Sequence, residues 1–288
     1  MRGRASRTAE VVAFMRASDQ RRASERRIVD DPYAHLFLGP WLRGALASLE
    51  RTGRLGERGE QLFPNLTTYV LTRHRFIDDC LAVALARGRF EQLVLLGAGY
   101  DTRAYRFADA LDGRPTFEVD HPATGDRKAR VVRQRASALP RARITRVPID
   151  FQSQALGDRL LSEGFRRGAR TFWVWEGVSP YLTRAAVKAT LATLRELSAR
   201  GSDLAMDFWF LLDSPAAIAT AVRMSSQLLS ILGEPVTFGL DPDDAPDFMR
   251  RAGFRTVDLA LPADLETRYV RDARRVYPAD YLLHARTR

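Results

Sequence analysis

Four apolar runs in this chain each stop on residues suited to binding. "LVLL" (Leu93–Leu96) turns through Gly97, Ala98 and Gly99 onto Asp101, Thr102 and Arg103. "TFEV" leads to Asp120, "ITRVPI" to Asp150 and Phe151, and "TFWVW" to Glu176. Glycines at a strand end let a ligand touch the main chain and permit dihedrals closed to other residues. An acid a little over twenty residues beyond them, as Asp120 is, can accept hydrogen bonds from both hydroxyls of a ribose. Asp150 then suits an adenine amino group, Phe151 suits the adenine face, and Glu176 completes a ring of acidic residues. Thr102 stands where the third glycine of a dinucleotide fingerprint would fall, which argues against a nicotinamide cofactor. An adenosine-bearing ligand that lacks a pyrophosphate and carries positive charge fits these carboxylates. S-adenosyl-L-methionine is such a ligand.

Strands are predicted at Leu93–Leu96, Thr116–Val119, Ile144–Ile149, Thr171–Trp175 and Asp203–Phe208. Helical patterns separate them, as in Arg184–Arg200, where Ala186, Val187, Leu191, Leu194 and Leu197 recur at helical spacing. Strands apolar on both faces and separated by helices form βαβ units, hence an α/β fold with a mostly parallel sheet. Ligands of such sheets bind outside the carboxyl ends of the strands. Near the C-terminus, "FRTVDLAL" and "RRVYPADYLLHAR" read as further strand material, with an antiparallel strand expected at the sheet edge. Residues 1–90 instead read as helices over Thr8–Ala17, Tyr33–Ala47 and Leu66–Ala86, with a polar break at Arg51–Gln61. No clear linker follows. Residues 1–90 are therefore expected as a helical lid on an α/β core of residues 91–288, in one integrated domain.

The formal net charge of +10 is uneven: +6 in residues 1–90, +4 in 91–180 and zero thereafter. Lys128 and Lys188 are the only lysines, so the excess is arginine. The densest run is Arg127, Lys128, Arg130, Arg133, Arg135, Arg141, Arg143 and Arg146. It lacks the interleaved aromatics that stack on bases, so a solvated face is expected rather than a nucleic-acid site. Cys80 is the only cysteine, no segment reads as a signal peptide, and none is long enough to span a bilayer. A cytoplasmic protein is expected. No cluster has metal-ligand spacing, so no metal is expected.

In "LTRHRFIDD" (Leu71–Asp79), "VLLGAGYDTRAYRF" (Val94–Phe107), "FEVDHPATGDRK" (Phe117–Lys128), "VWEGVSPYLT" (Val174–Thr183) and "GEPVTFGL" (Gly233–Leu240), the chain resembles the leucine carboxyl methyltransferase family, in its bacterial branch. The resemblance runs from about residue 8 to the C-terminus. It implies a class I (Rossmann-like) methyltransferase fold with a seven-stranded sheet and a helical lid. It also implies S-adenosyl-L-methionine as cofactor and S-adenosyl-L-homocysteine as product. Matched to its motifs, Arg73 would contact the methionine carboxylate, and Gly97 and Gly99 its backbone. Asp120 would hold the ribose, Asp150 and Phe151 the adenine end, and Glu176 the methionine amino group. The family also uses a basic residue before "DPYA", for which Arg16 and Arg22 are both candidates. Read without the family, Arg73 suits either a bidentate pair with a ligand carboxylate or a local salt bridge to Asp78 or Asp79.

Methyl transfer from a sulfonium is an in-line displacement, so alignment of the two reactants dominates. A carboxylate acceptor is already ionised at neutral pH, whereas a phenol or alcohol needs a base. His121, after the ribose acid, is the obvious titratable candidate, but a histidine before proline at a strand end is more often structural, and no general base is assigned. The expected activity is O-methylation of a small metabolite, at a carboxylate or a hydroxyl of a polyketide-like natural product. The alternatives are a protein C-terminal carboxyl methyltransferase, a nucleic-acid methyltransferase, and a cofactor-binding protein without turnover. The stretch Phe208–Gly233 suits either an acceptor pocket or lid core.

Overall fold

The computed structural model describes residues 6–52, 65–150, 154–210 and 236–288. Its strands are β1 (Gln92–Leu96), β2 (Thr116–Asp120), β3 (Ile144–Pro148), β4 (Thr171–Trp175), β5 (Asp203–Trp209), β6 (Phe254–Ala260) and β7 (Asp280–Thr287). They form one sheet in the order β3-β2-β1-β4-β5-β7-β6. β1 to β5 are parallel, and β7 runs antiparallel to both its neighbours. The chain steps outward from β1 to β3 and then returns to β4 beside β1. Open α/β sheets bind ligands at such a reversal, and here Gly97 and Glu176 lie at it, just past the carboxyl ends of β1 and β4. This is the seven-stranded, mostly parallel α/β sheet expected of a class I methyltransferase.

Residue alternation along the strands builds two cores. Val94 and Leu96 of β1, Trp173 and Trp175 of β4, and Leu204, Met206 and Phe208 of β5 face one side. There they meet Leu156 and Leu160 of one helix and Val187, Leu191, Leu194 and Leu197 of another. Leu93, Leu95, Phe172, Val174 and Ala205 face the other side, against the helix Leu66–Ala86 through Phe76, Ile77 and Leu81. That helix begins and ends where its apolar pattern does. Its inner face brings Tyr69 and Arg73 to the carboxyl end of the sheet.

Two expectations are corrected. The antiparallel strand is not at the edge: β7 lies between β5 and β6, and β6 takes the edge. Tyr281, Leu282, Leu283 and Ala285 of β7 are fully buried on both faces, whereas β6 exposes Arg255 and Val257. The more apolar strand goes inside. The expected helix Tyr33–Ala47 is instead a 3₁₀ turn at Ala34–Phe37 and a separate helix at Pro40–Thr52. Pro40 disfavours a helical residue before it and sits comfortably in the first turn of the next helix. Gly39 donates its N–H to Glu10 Oε1 at 2.6 Å, which fixes the break.

The N-terminal helix Arg7–Asp19 and the 3₁₀ turn share a core with Tyr100 and Tyr105 from beyond β1. Phe37 stacks on Tyr100 with ring centroids 5.7 Å apart. The arginine run divides. Lys128 is buried 2.8 Å from Glu118 Oε1, and Arg127 pairs with Glu10 at 2.8 Å, while Arg130, Arg133, Arg135, Arg141 and Arg143 are exposed. No described helix is long and apolar enough to cross a membrane. Phe208 packs against Phe238, Phe248 and Tyr281, with centroids 5.6 to 6.4 Å away. Phe208→Ala is expected to cost about 3–5 kcal/mol in chemical denaturation, through lost burial and the cavity left.

Candidate active site

The turn after β1 has its backbone set by two glycines. Gly97 has φ 66° and Gly99 φ 43°, in the left-handed region, and a methyl group on Gly97 would overlap Val178 Cγ2. The N–H groups of Gly97 and Ala98 donate to Val119 O at 2.8 and 3.0 Å, tying the turn to β2. One carboxylate oxygen of Asp120 accepts from Gly99 N–H, and the other accepts from His121 N–H at 2.6 Å. Burial raises the Asp120 pKa, and these two donors only partly offset it. Asp120 is partly exposed at the carboxyl end of β2, whereas Glu118, on the same face of β2, is buried against Lys128. Asp150 is partly exposed just beyond β3, its N–H donating to Gln154 Oε1 at 2.9 Å. Phe151 lies outside the described residues.

Arg73 reaches neither Asp78 nor Asp79. Its Nε donates to Glu176 Oε1 at 3.1 Å and its Nη1 to Asp207 Oδ2 at 3.2 Å, beyond β4 and at the end of β5. Asp79 pairs with Arg75 instead, and Asp78 with Arg103 and Arg106. The local salt bridge is therefore excluded. Of the expected residues, the structure groups Gly97, Gly99 and Asp120 around the β1–β2 turns and Arg73 with Glu176 at the end of β4. Asp150 stands further along the same edge.

Arg103, absent from the sequence-derived site, is fully buried and binds three carboxylates. Its Nε donates to Asp78 Oδ1 at 2.7 Å, and its Nη1 donates both to Glu176 Oε2 at 2.7 Å and to Asp101. Arg106 grips Asp78 with two bonds, of 2.6 and 3.0 Å. Thr102 Oγ1 donates to Asp31 Oδ2 at 2.7 Å, and Asp31 pairs with Arg16 Nε at 3.1 Å. Arg16 Nη2 then donates to Tyr100 O at 2.6 Å, which latches the N-terminal helix to the glycine turn. Arg22, the other N-terminal candidate, pairs with Asp19 at 3.3 Å. Asp31 and Asp78 take their network partners, Arg16, Arg103 and Arg106, from other segments, so local sequence pattern does not reveal it.

Burial opposes charge on Glu176, but Arg103, foremost among its neighbours, holds its pKa well below the carboxylate range. The same opposition, resolved by arginines, lowers Asp31, Asp78 and Asp101. His74 is buried, and burial followed by Arg103 lowers its pKa, so it is neutral at pH 7. Its Nε2 accepts from Arg106 Nη2 at 2.8 Å, and its Nδ1 lies 3.3 Å from both Glu176 oxygens.

Removing Arg103 leaves three buried carboxylates short of a partner. Arg103→Met is expected to destabilise by about 3–5 kcal/mol at pH 7. Depressed carboxylates stabilise fully above their unfolded values near pH 4 and lose that stabilisation as pH falls through the folded ones. The gap between the two proteins in urea should therefore narrow below about pH 4. Gly97→Ala should cost about 1–3 kcal/mol, and adding Val178→Ala should recover the steric part while leaving the cost of positive φ.

Residues 9–195 match the leucine carboxyl methyltransferase family. A Saccharopolyspora erythraea protein, named as a candidate S-adenosyl-L-methionine-dependent methyltransferase, is 37% identical over 202 residues, 69% of this chain and 66% of that one. A Streptomyces coelicolor protein of the same description is 33% identical over 275 residues, 92% of this chain and 86% of that one. Among solved structures, a DUF574 family protein from Streptomyces avermitilis superposes with a TM-score of 0.64 at 13% identity, covering 99% of this chain and 98% of that one. A candidate methyltransferase from Thermobifida fusca reaches 0.55 at 14% identity, covering 89% and 93%. These two share the fold. The chain belongs to the leucine carboxyl methyltransferase family and is an S-adenosyl-L-methionine-dependent methyltransferase.

Proposed function

We propose that the crevice above β1, β2 and β4 binds the cofactor and transfers its methyl group to an oxygen of a small metabolite, at a carboxylate. One observation carries the cofactor placement: Arg73, buried, and Glu176, partly buried, lie 3.1 Å apart at the switch point and offer one cation and one anion. An α-amino acid end bears the matching carboxylate and ammonium, so the donor set fits the methionine moiety of S-adenosyl-L-methionine. Asp120 then receives the ribose hydroxyls in place of its bond to Gly99, and Asp150 lies towards the adenine. The bond from Arg16 to Tyr100 O supports Arg16 over Arg22, which pairs with Asp19, as the N-terminal arginine that senses the ligand. When bound, S-adenosyl-L-methionine supplies a methyl group on a sulfonium, which an acceptor oxygen displaces in line.

The fate of the four histidines supports an acceptor that arrives ionised. His121 Nδ1 accepts from Ala123 N–H at 3.2 Å and so caps its own helix. His74 is enclosed between arginines and Glu176. His284 binds Asp203 at 2.9 Å, at the opposite end of β5 from Asp207. His35 lies on the 3₁₀ turn, beside a cavity of about 160 Å³ lined by Ala17, Gln20, Arg21, Asp31 and Pro32. None is placed as a general base at the crevice, and a carboxylate needs none. The packing of the N-terminal helix against the glycine turn supports its expected role as a lid that excludes water during transfer. The apolar stretch expected near the acceptor lies largely outside the described residues.

Asp120→Ala should weaken cofactor binding by about 1–3 kcal/mol in calorimetry, the loss of a pair of charge-assisted hydrogen bonds. Incubating the enzyme with methyl-labelled cofactor and an extract of small molecules, followed by mass spectrometry, should give a base-labile labelled ester. The rate of its formation should be nearly flat from about pH 6 to 9. Label on an ether oxygen, with a rate rising towards a phenol pKa, would overturn the carboxylate assignment. Label on protein or nucleic acid would overturn the small-metabolite reading.

A further inference from the structure

The charged groups around the site do not balance. Among the described residues, Arg16, Arg73, Arg103 and Arg106 face Asp31, Asp78, Asp101, Glu176, Asp207 and Asp280 in one buried cluster. Four cations meet six acids, and His74 adds no charge. Asp280 is the acid left over. It opens β7 opposite Trp209, with no solvent exposure, and neither of its carboxylate oxygens has a hydrogen-bond partner. The Tyr69 hydroxyl nearby is also buried and without one. The groups facing Asp280 are Tyr69 and Arg73 from the helix Leu66–Ala86 and Asp207 and Trp209 from β5. Asp207 in turn accepts from Gly177 N–H at 2.7 Å and feels Glu176 beyond β4. Arg73, the nearest cation, is already bonded to Asp207 and Glu176. An ionised Asp280 here would be a buried charge without a partner, which is strongly disfavoured. Burial, then the neighbouring Asp207, raises the Asp280 pKa well above the usual range, and burial raises Asp207 as well.

We propose that Asp207 and Asp280 act as one acid pair that sets the preference for the charged cofactor over its neutral-sulfur product. The pair holds a proton in the free protein and releases it to solvent when a ligand with an added positive charge settles against Arg73 and Glu176. This rests on the placement of the methionine end at those two residues. S-adenosyl-L-methionine carries one more positive charge than S-adenosyl-L-homocysteine, and that charge lies on the same methionine chain. The added cation favours ionisation of the pair, so affinity for the cofactor gains a pH dependence that affinity for the product lacks. In turnover the S–CH₃ bond breaks and the acceptor O–CH₃ bond forms. The carboxylate charge cancels the sulfonium charge, and the acid pair takes a proton back from solvent. The product then leaves a site that carries one negative charge fewer than in the cofactor complex.

Calorimetry of the full chain with each ligand at pH 6, in two buffers of different ionisation enthalpy, reads the proton directly. At that pH the α-amino groups of both ligands, with pKa values near 8, are protonated and contribute little. S-adenosyl-L-methionine should release protons, approaching about one per site, where S-adenosyl-L-homocysteine releases almost none. As pH rises towards the free-state value, the affinity ratio should climb by up to about tenfold per pH unit, and it should level off above that value. Asp280→Asn should abolish both differences and leave product affinity within about twofold. Infrared spectra of the unaltered protein give a second readout. A protonated carboxylic acid band should be present in the free protein, lost with the cofactor and retained with the product. Equal proton exchange for the two ligands, or no such band in the free protein, would overturn the proposal. Binding of neither ligand would overturn the cofactor placement beneath it, and the proposal with it.

Discussion

The Arg103 guanidinium is the contact on which the site depends. It lies on the short helix after the glycine turn, yet its partners come from the helix Leu66–Ala86 (Asp78), from its own turn (Asp101) and from the end of β4 (Glu176). Three segments that share no backbone hydrogen bonds are thereby fixed to one plane of charge. A guanidinium satisfies this geometry because its donors diverge in a rigid fork, which a lysine ammonium cannot reproduce. Burial makes the arrangement strict. In a low-dielectric interior a partnered charge is tolerated and an unpartnered one is strongly penalised, so each acid holds its place because its arginine does.

From that centre the order spreads in two directions. Through Arg106, Thr102, Asp31 and Arg16 it reaches the N-terminal helix and holds it over the glycine turn. Through Glu176 it reaches Arg73 and the end of β5. The sheet gives stiffness, and the ionic chain gives position. On the proposed placement, a cofactor with a carboxylate, an ammonium and a sulfonium would meet arginine–carboxylate pairs that are already formed, which limits the reorganisation needed at transfer. The excess of acids over arginines in the cluster gives the site a sign that suits a cationic ligand.

Much of the fold could be read from local pattern. The five parallel strands begin and end within two residues of their expected bounds, because apolar runs bounded by turn residues are a short-range signal. The helix Leu66–Ala86 matches its expected bounds, since its periodicity holds from end to end. Three features were hidden. The break before Pro40 lay inside an apolar pattern that reads as continuous despite the Gly39-Pro40 signal, and the bond that fixes it, from Gly39 to Glu10, spans 29 residues. The order of the last two strands depends on which is more completely apolar once paired, a property of the sheet and not of either strand. The roles of Arg103 and His74 were illegible because their partners are set by topology. Arg103 and Glu176 are 73 residues apart, and Arg73 and Asp207 are 134 apart. An arginine in a motif reads the same whether it will face water, a ligand or three buried acids. The family resemblance supplied the candidate positions, while the structure supplied the partners, including those that exclude a local salt bridge for Arg73.

The claim that the Arg73–Glu176 pair receives the methionine end of the cofactor is tested most directly by a crystal structure of the protein with S-adenosyl-L-homocysteine. The ligand carboxylate is expected within hydrogen-bond distance of Arg73, its ammonium on Glu176, and both ribose hydroxyls on Asp120. A ligand bound in the crevice with its amino-acid end away from Arg73 and Glu176, or bound elsewhere on the chain, would contradict it.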